Sequence, residues 1–395
     1  MKEDKKYIPY NLPFIEKDEI REVVDSLKSG WLTTGPKTKQ FEADFSKYVG
    51  AKNAIALSSC TAGLHLSLLV AGIKRGDEVV TTPYTFASTI LAIMEAGAKP
   101  VLVDIREDTL NINEKKIAEK LNAKTKAILP VHFGGIPCEM SIILGMAKRN
   151  GLYVIEDAAH AVGSEYEGYK VGKLGDLTAF SFYATKNLTT GEGGMVTTDN
   201  DEYAEKIRVL SLHGISKDSF NRYARGGSWY YEVKERGFKY NMMDIQAALG
   251  LHQLKKLDKM NKRRGEIAEI YNSCFSEINE LAVNELPDNI RNSWHLYLLH
   301  LNLHKLNINR NDFILELRKR KIGASVHFIP AHYHPYFQRT LKLKPGAFPV
   351  CESVYERVIS LPLYPSLKDA DANHVIRAVK DIIVKNKKMT KGSAG

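Results

Sequence analysis

Cysteine is scarce in this chain of 395 residues: Cys60, Cys138, Cys274 and Cys351 stand far apart and form no C-x-x-C pair. That excludes a disulfide scaffold and a cysteine-rich zinc site, and it reads as a reduced, cytoplasmic protein. No apolar run is long enough to cross a bilayer, and the start, MKEDKKYIPYNLPF, lacks the apolar core of a signal peptide. No G-x-G-x-x-G follows the first predicted strand, which removes support for a nucleotide-binding dehydrogenase. Internal repeats and low-complexity tracts are missing too. What the chain has is 44% hydrophobic and 26% charged residues, the balance of a soluble globular protein with a sizeable core. Its net charge of +10 comes from basic residues scattered along the chain rather than gathered into a nucleic-acid module. Small phosphorylated anions, or simply a basic solvated surface, account for that charge.

Hydrophobic patterning divides the chain in two. Short apolar runs at Ala54–Leu57, Glu78–Thr82, Pro100–Asp104, Ala127–Val131, Tyr153–Glu156, Thr178–Phe182 and Gly194–Thr198 predict seven strands. Amphipathic helices are predicted between most of them, at Ala62–Ala71, Ala87–Glu95, Asn113–Leu121 and Glu139–Asn150, after earlier ones at Glu16–Leu27 and Lys39–Val49. Such alternation implies an α/β fold around a mostly parallel sheet covered on both faces. After Thr198 the alternation stops. A helix at Asp201–Leu212 precedes a long aromatic loop, and a helix from Met242 to Met260 runs on toward Phe275. The remainder reads as α+β, with a strand at Trp294–Leu303, a helix at Arg310–Lys321, an extended stretch at Ser325–Ile329 and a helix at Asp369–Val384. We expect an arm at 1–14, a large domain at 15–259, a smaller one at 260–385 and a tail at 386–395.

The chemistry gathers at predicted strand ends. Lys186, in FSFYATKNLTTGEGG, stands where a strand hands over to a loop, the edge at which open α/β sheets bind ligands. Alone it would be a surface lysine. Ser181 offers a hydroxyl five residues earlier, and Gly191, Gly193 and Gly194 permit close backbone approach. A partly desolvated lysine forms a Schiff base with an aldehyde, and pyridoxal phosphate (PLP) is the aldehyde that would need these parts. Its pyridine nitrogen requires an acid; Asp157 in EDAAHA follows a strand directly, although an N-cap is the other reading. His160 stands within reach of a phenolic oxygen, if it is not structural. Thr61 and Ala62, opening the helix in SSCTAGLHLSLL, supply N–H groups for a phosphate, unless this is only a Ser/Thr cap. Phe86, at another strand end, is placed to cover a ring or to be core.

FSFYATKNLTTGEGG, EDAAHAVGSEYEG, SSCTAGLHLSL, SGWLTTGP and GFKYNMMDIQAALGLHQLKKLD together resemble the DegT/DnrJ/EryC1/StrS sugar-nucleotide aminotransferases. The resemblance runs in order from about residue 8 to 380 and implies the aspartate aminotransferase-like fold type I. It implies Lys186 as the Schiff-base lysine, Asp157 as the pyridinium partner, His160 at the phenolic oxygen and Phe86 stacked on the ring. Thr61, Ala62 and Ser181 then form the phosphate cradle, and Asn241 reaches the cofactor phosphate of a neighbouring subunit in a homodimer with shared sites. L-glutamate is the implied amino donor and a nucleotide-linked keto sugar the acceptor. SGWLTTGPK and EDAAHA most resemble enzymes that aminate C4 of UDP-4-keto sugars, in cell-surface glycan or glycolipid biosynthesis. Thr33, Thr34, His327 and His332 would line the sugar side, with Lys and Arg of the Tyr223–Arg236 loop near the diphosphate. Relatives that dehydrate their sugars carry His in place of the lysine, so Lys186 argues against that chemistry. Sugar 3-dehydration, C3 amination and a non-catalytic PLP-binding regulator remain the other readings.

Overall fold

The computed structural model describes residues 7–215, 229–284 and 286–388. Two helices, α1 (Lys17–Ser29) and α2 (Pro36–Val49), precede the main sheet. Its strands are β1 (Asn53–Leu57), β2 (Glu78–Thr81), β3 (Lys99–Leu102), β4 (Thr125–Ile128), β5 (Tyr153–Asp157), β8 (Leu177–Ser181) and β9 (Gly194–Thr198), with the hairpin β6 (Glu165–Tyr166) and β7 (Tyr169–Lys170) between β5 and β8. They lie in the order β1-β9-β8-β5-β4-β2-β3. The pairs from β8 through β3 are parallel, and β9 runs antiparallel to both its neighbours. These are the seven strands expected, in a mostly parallel sheet.

Alternation along the strands builds two cores. On β1, Ile55 and Leu57 join one buried cluster with Leu64, Leu66 and Leu68 of α3 (Cys60–Val70). Ala54 and Ala56 join the other, against Phe41 and Phe45 of α2. Successive strand residues point to opposite faces, so one five-residue run serves both layers.

After α4 (Ala87–Glu95), α5 (Glu114–Ile117), α6 (Met140–Asn150) and α7 (Asp201–Ser211), the 32-residue helix α8 (Asp244–Phe275) leaves the main sheet. Ala247, Leu251, Leu254 and Leu257 of its first half pack into the α2 cluster. Ile267, Ala268, Tyr271 and Phe275 of its second half pack into a separate cluster with Leu299, Ile359 and Val379. That second core lies on a three-stranded sheet of β10 (Leu281–Val283), β12 (Tyr297–Leu301) and β13 (Val358–Leu361).

Several local expectations shift. The predicted Trp294–Leu303 strand contracts to β12, and Ser325–Ile329 contributes only a bridge from Ser325 to Ser360. The helix expected at Asn113–Leu121 is a single turn, Glu114–Ile117, followed by a 3-10 turn. Strand β11 (Ile290–Arg291) pairs with β6 far back in the chain, a long-range partnership that local pattern does not announce. Among the described residues no helix is long and apolar enough to cross a membrane.

Candidate active site

A cavity of about 520 Å³ opens beside the carboxyl ends of β5 and β8, and Lys186, Asp157, His160, Ser181, Thr61, Phe86 and His327 all line it. The backbone explains the convergence. The chain leaves β8 at Ser181 and folds into a turn closed by Lys186 N–H donating to Tyr183 C=O (2.9 Å). It returns along β9 through Gly193 and Gly194, where no side chain fits. A Cβ on Gly194 would stand 2.4 Å from the Ser59 carbonyl carbon, and one on Gly193 would stand 2.2 Å from Thr190 Oγ1. The return strand is thereby pressed against the start of α3.

Lys186 keeps a little surface toward the cavity but lies deep in the interior, and burial lowers its pKa from 10.5 to about 8. Cys60 and Asp157 pull the other way as nearby acidic groups. Asp157, buried at the end of β5, has its pKa raised by burial, against the pull of hydrogen bonds from Thr89 and Ala159. Thr89 Oγ1 donates to Oδ2 (2.7 Å) and Ala159 N–H to Oδ1 (3.1 Å). The capping alternative for Asp157 is realised as well: Oδ1 accepts from Ala159 N–H of the next turn, while Oδ2 takes the Thr89 hydroxyl. His160 is held neutral, chiefly by burial and also by the charge of Lys186.

The helix α3 begins beneath the cavity with Ser59 as N-cap, its Oγ accepting from Ala62 N–H (3.1 Å). Ala62 is therefore already capped and lies off the cavity wall, while Cys60 and Thr61 line it ahead of the helical hydrogen-bond ladder. Phe86 is 62% exposed at the rim, with its ring 5.7 Å from that of Phe328. The residues present suit PLP: an amine for the aldehyde, a buried carboxylate for a cationic ring nitrogen, and a helix start with a hydroxyl and two obligatory glycines for the phosphate.

Besides Ala62, four predicted residues lie elsewhere. Thr34 and Asn241 meet each other, Asn241 Nδ2 donating to Thr34 Oγ1 (2.7 Å), but neither borders the cavity. Thr33 is exposed, its carbonyl accepting from Asp244 N–H (3.2 Å). His332 is a correction: its ring is fully buried, hydrogen-bonded to Glu352 (2.9 Å) and packed on Phe348, off the cavity wall. Of the basic residues expected near the diphosphate, 223–228 lie outside the described residues, and Lys234 borders a different surface depression.

Several cavity residues escaped the sequence reading, Cys60, His295 and Phe328 among them. Cys60 places Sγ 3.5 Å from Ala179 C=O and 3.9 Å from Asp157 Oδ1, and burial pushes its thiol pKa well up. His295, just before β12, and Phe328 arrive from the far side of α8. Only the polarity of His295 within an apolar run hinted at it.

Residues 13–380 match the family model of the DegT/DnrJ/EryC1/StrS aminotransferases. The chain is 56% identical over 381 residues to the uncharacterized protein MJ1066 of Methanocaldococcus jannaschii, covering 96% of this chain and 99% of that one. It is 54% identical over 378 residues to the spore coat polysaccharide biosynthesis protein SpsC of Bacillus subtilis, covering 95% and 97%. Among solved structures, the sugar-aminotransferase candidate Spr1654 of Streptococcus pneumoniae superposes with a TM-score of 0.89 at 33% identity, over 96% of this chain and 99% of that one. It has been solved in PLP and PMP forms.

Proposed function

The chain belongs to the DegT/DnrJ/EryC1/StrS aminotransferase family and is a PLP-dependent sugar aminotransferase; from that premise we propose that it moves an amino group from L-glutamate to C4 of a UDP-linked 4-keto sugar. The observation that carries the reaction class is the meeting of Lys186 and Asp157 in one cavity. The acceptor reading is supported by the SGWLTTGPK and EDAAHA motifs. A sugar as acceptor also fits Helicobacter pylori PseC, an aminotransferase involved in pseudoaminic acid biosynthesis that superposes with a TM-score of 0.87 at 29% identity.

When bound, the cofactor supplies an aldehyde and an electron-withdrawing ring through which an amino group can be taken from one substrate and given to another. Lys186 Nζ, with its pKa near 8, is close to the balance at which it can both take a proton and return it. Nζ would take the Cα proton from the amino donor in the first half-reaction and deliver a proton to the sugar carbon being aminated in the second. Asp157, ordered by Thr89 and Ala159, would hold a cationic ring nitrogen. His160 would orient the ring oxygen, and Phe86, beside Phe328 at the rim, would cover the ring.

Donor and acceptor use one site in turn, so ping-pong kinetics follow. We place the protein as a homodimer in which Asn241, off its own cavity, reaches the neighbour's phosphate site. The test is spectroscopic. L-glutamate should replace the visible band of the holoenzyme with a near-ultraviolet one, and a UDP-4-keto sugar should restore it. A visible band indifferent to glutamate would sink the donor, and restoration only by 3-keto sugars would sink the C4 reading.

A further inference from the structure

The imidazoles of His160 and His295 lie side by side in the cavity wall, tilted 39° to each other with ring centroids 4.3 Å apart. Their hydrogen-bond partners fix which nitrogen of each carries the proton. Gly134 N–H can only donate, and it points at His160 Nδ1 (3.2 Å). His160 Nδ1 is therefore an acceptor, and in the neutral ring Nε2 holds the hydrogen. For His295 the proton is fixed through a further residue, Asn187. The Ser293 carbonyl can only accept, so the atom of Asn187 that faces it (2.7 Å) is the amide nitrogen. That nitrogen also donates to Asn261 Oδ1 (2.7 Å), which uses both its hydrogens. The remaining atom, Oδ1, faces His295 Nδ1 at 3.1 Å, so Nδ1 must be the protonated nitrogen.

Both rings are neutral: each is almost fully buried, and Lys186 adds a nearby positive charge. His295 consequently keeps a bare lone pair on Nε2, which has no hydrogen-bond partner among the described residues although the residue lines the cavity. Nε2 is not among the buried atoms left without a partner, so it opens into the cavity, where a ligand hydrogen can replace water at the lone pair.

We infer that His295 is a further binding residue of the site: its Nε2 accepts a hydrogen bond from an O–H group, beside the Nε2–H that His160 donates. Two sources share this chemistry, a hydroxyl of the bound sugar and a fixed water. The wall presents one acceptor next to one donor, so it favours a hydroxyl over an anionic oxygen at the acceptor. This rests on the reading of the cavity as the sugar-amination site.

Two substitutions separate the nitrogens. His295→Asn places an amide near Nδ1, keeping the donation to Asn187 while deleting the Nε2 lone pair. His295→Gln reaches the Nε2 position with an acceptor oxygen. Nitrogen-15 NMR of the histidine-labelled holoenzyme, with His160→Gln and His295→Gln used for assignment, reads the tautomers directly. Opposite protonation of Nε2 in His160 and His295 is expected; a protonated Nε2 on His295 would overturn the inference, whatever the substrate is. In the kinetic arm, His295→Asn should lower kcat/KM for the sugar about 5- to 10-fold, the loss of one hydrogen bond, and His295→Gln should restore part of it. If the partner is a sugar hydroxyl, the half-reaction with the amino donor alone stays at the wild-type rate; if it is a water, both half-reactions fall together. Wild-type behaviour of His295→Asn in both would overturn the assignment. So would equal loss of cofactor and cooperative unfolding in the Asn and Gln variants, since that marks a packing role only. A wild-type enzyme inert to L-glutamate would sink the donor proposal and leave the NMR result standing.

Discussion

Replacing Lys186 with methionine should make the cofactor-free protein more stable while abolishing turnover. The side chain is deep in the interior, and its pKa falls from 10.5 in the open chain to about 8 in the fold. At about 1.4 kcal/mol per tenfold, that gap corresponds to roughly 3 kcal/mol paid by the protonated folded state. Water in the cavity and the loss of a positive neighbour for Asp157 both reduce the gain, so about 1–3 kcal/mol is expected at pH 7. The sign with pH follows from proton binding. Between pH 8 and 10.5 the unfolded chain still holds the proton and the folded chain has released it, so wild-type stability rises with pH across that window. Below pH 8 both states hold it, and the penalty is constant. Equilibrium urea unfolding of the apoprotein, wild type against Lys186→Met, should show the variant ahead at pH 7 and the two curves converging as pH climbs from 8 to 10.5. A constant difference across that window, or a variant less stable at pH 7, would refute the claim that Lys186 is buried at an electrostatic cost.

Thr89→Val removes the hydroxyl that donates to Asp157 Oδ2 at 2.7 Å. A hydrogen bond to a charged group is worth about 1.5–3 kcal/mol, so PLP affinity should fall roughly 10- to 100-fold in a spectrophotometric titration. Gly194→Ala would press a methyl against the Ser59 and Cys60 backbone. We expect a loss of at least about 1–3 kcal/mol in thermal or urea unfolding, with weakened cofactor retention. Mixing Lys186→Ala with Asn241→Ala after dissociation should recover about a quarter of wild-type activity from two inactive variants, because random pairing gives half hybrid dimers with one intact site each. No recovery in mixed dimers would dismiss the shared site.

Each strand of the main sheet was readable because it is a short apolar run between helices with a buried stripe, and burial on both faces leaves that signature in the local sequence. Lys186 and Asp157 were readable for a related reason: polar groups at the carboxyl ends of such strands stand out against the run before them. The small sheet was less open to reading. Leu281–Val283 and Val358–Leu361 are three and four residues long and depend on β12 for their partners. His332 misled because HFIPAHYHPYF holds three histidines within a few residues, while the cavity takes only the first, His327. Its neighbour in sequence instead satisfies Glu352, which also accepts from Tyr333 and from Gly346 N–H.

The same contrast explains why His295 escaped. Its place in the wall depends on Asn187, the residue after Lys186, and on Asn261, in the middle of α8. Those three residues are separated by long stretches of chain, yet they form one hydrogen-bonded line from the cavity to Val162 C=O, where Asn261 Nδ2 ends it. Periodicity reports which face of an element is buried; it does not report that three buried polar groups have been assigned to one another. Both hydrogens of the Asn187 amide are committed, so the line transmits orientation: fixing Asn187 fixes the tautomer of His295 at one end and the backbone beside Lys186 at the other. Part of the site's precision is thus held by α8, the element whose two halves pack into two different cores, so small relative shifts of those cores would be felt at the reacting lysine.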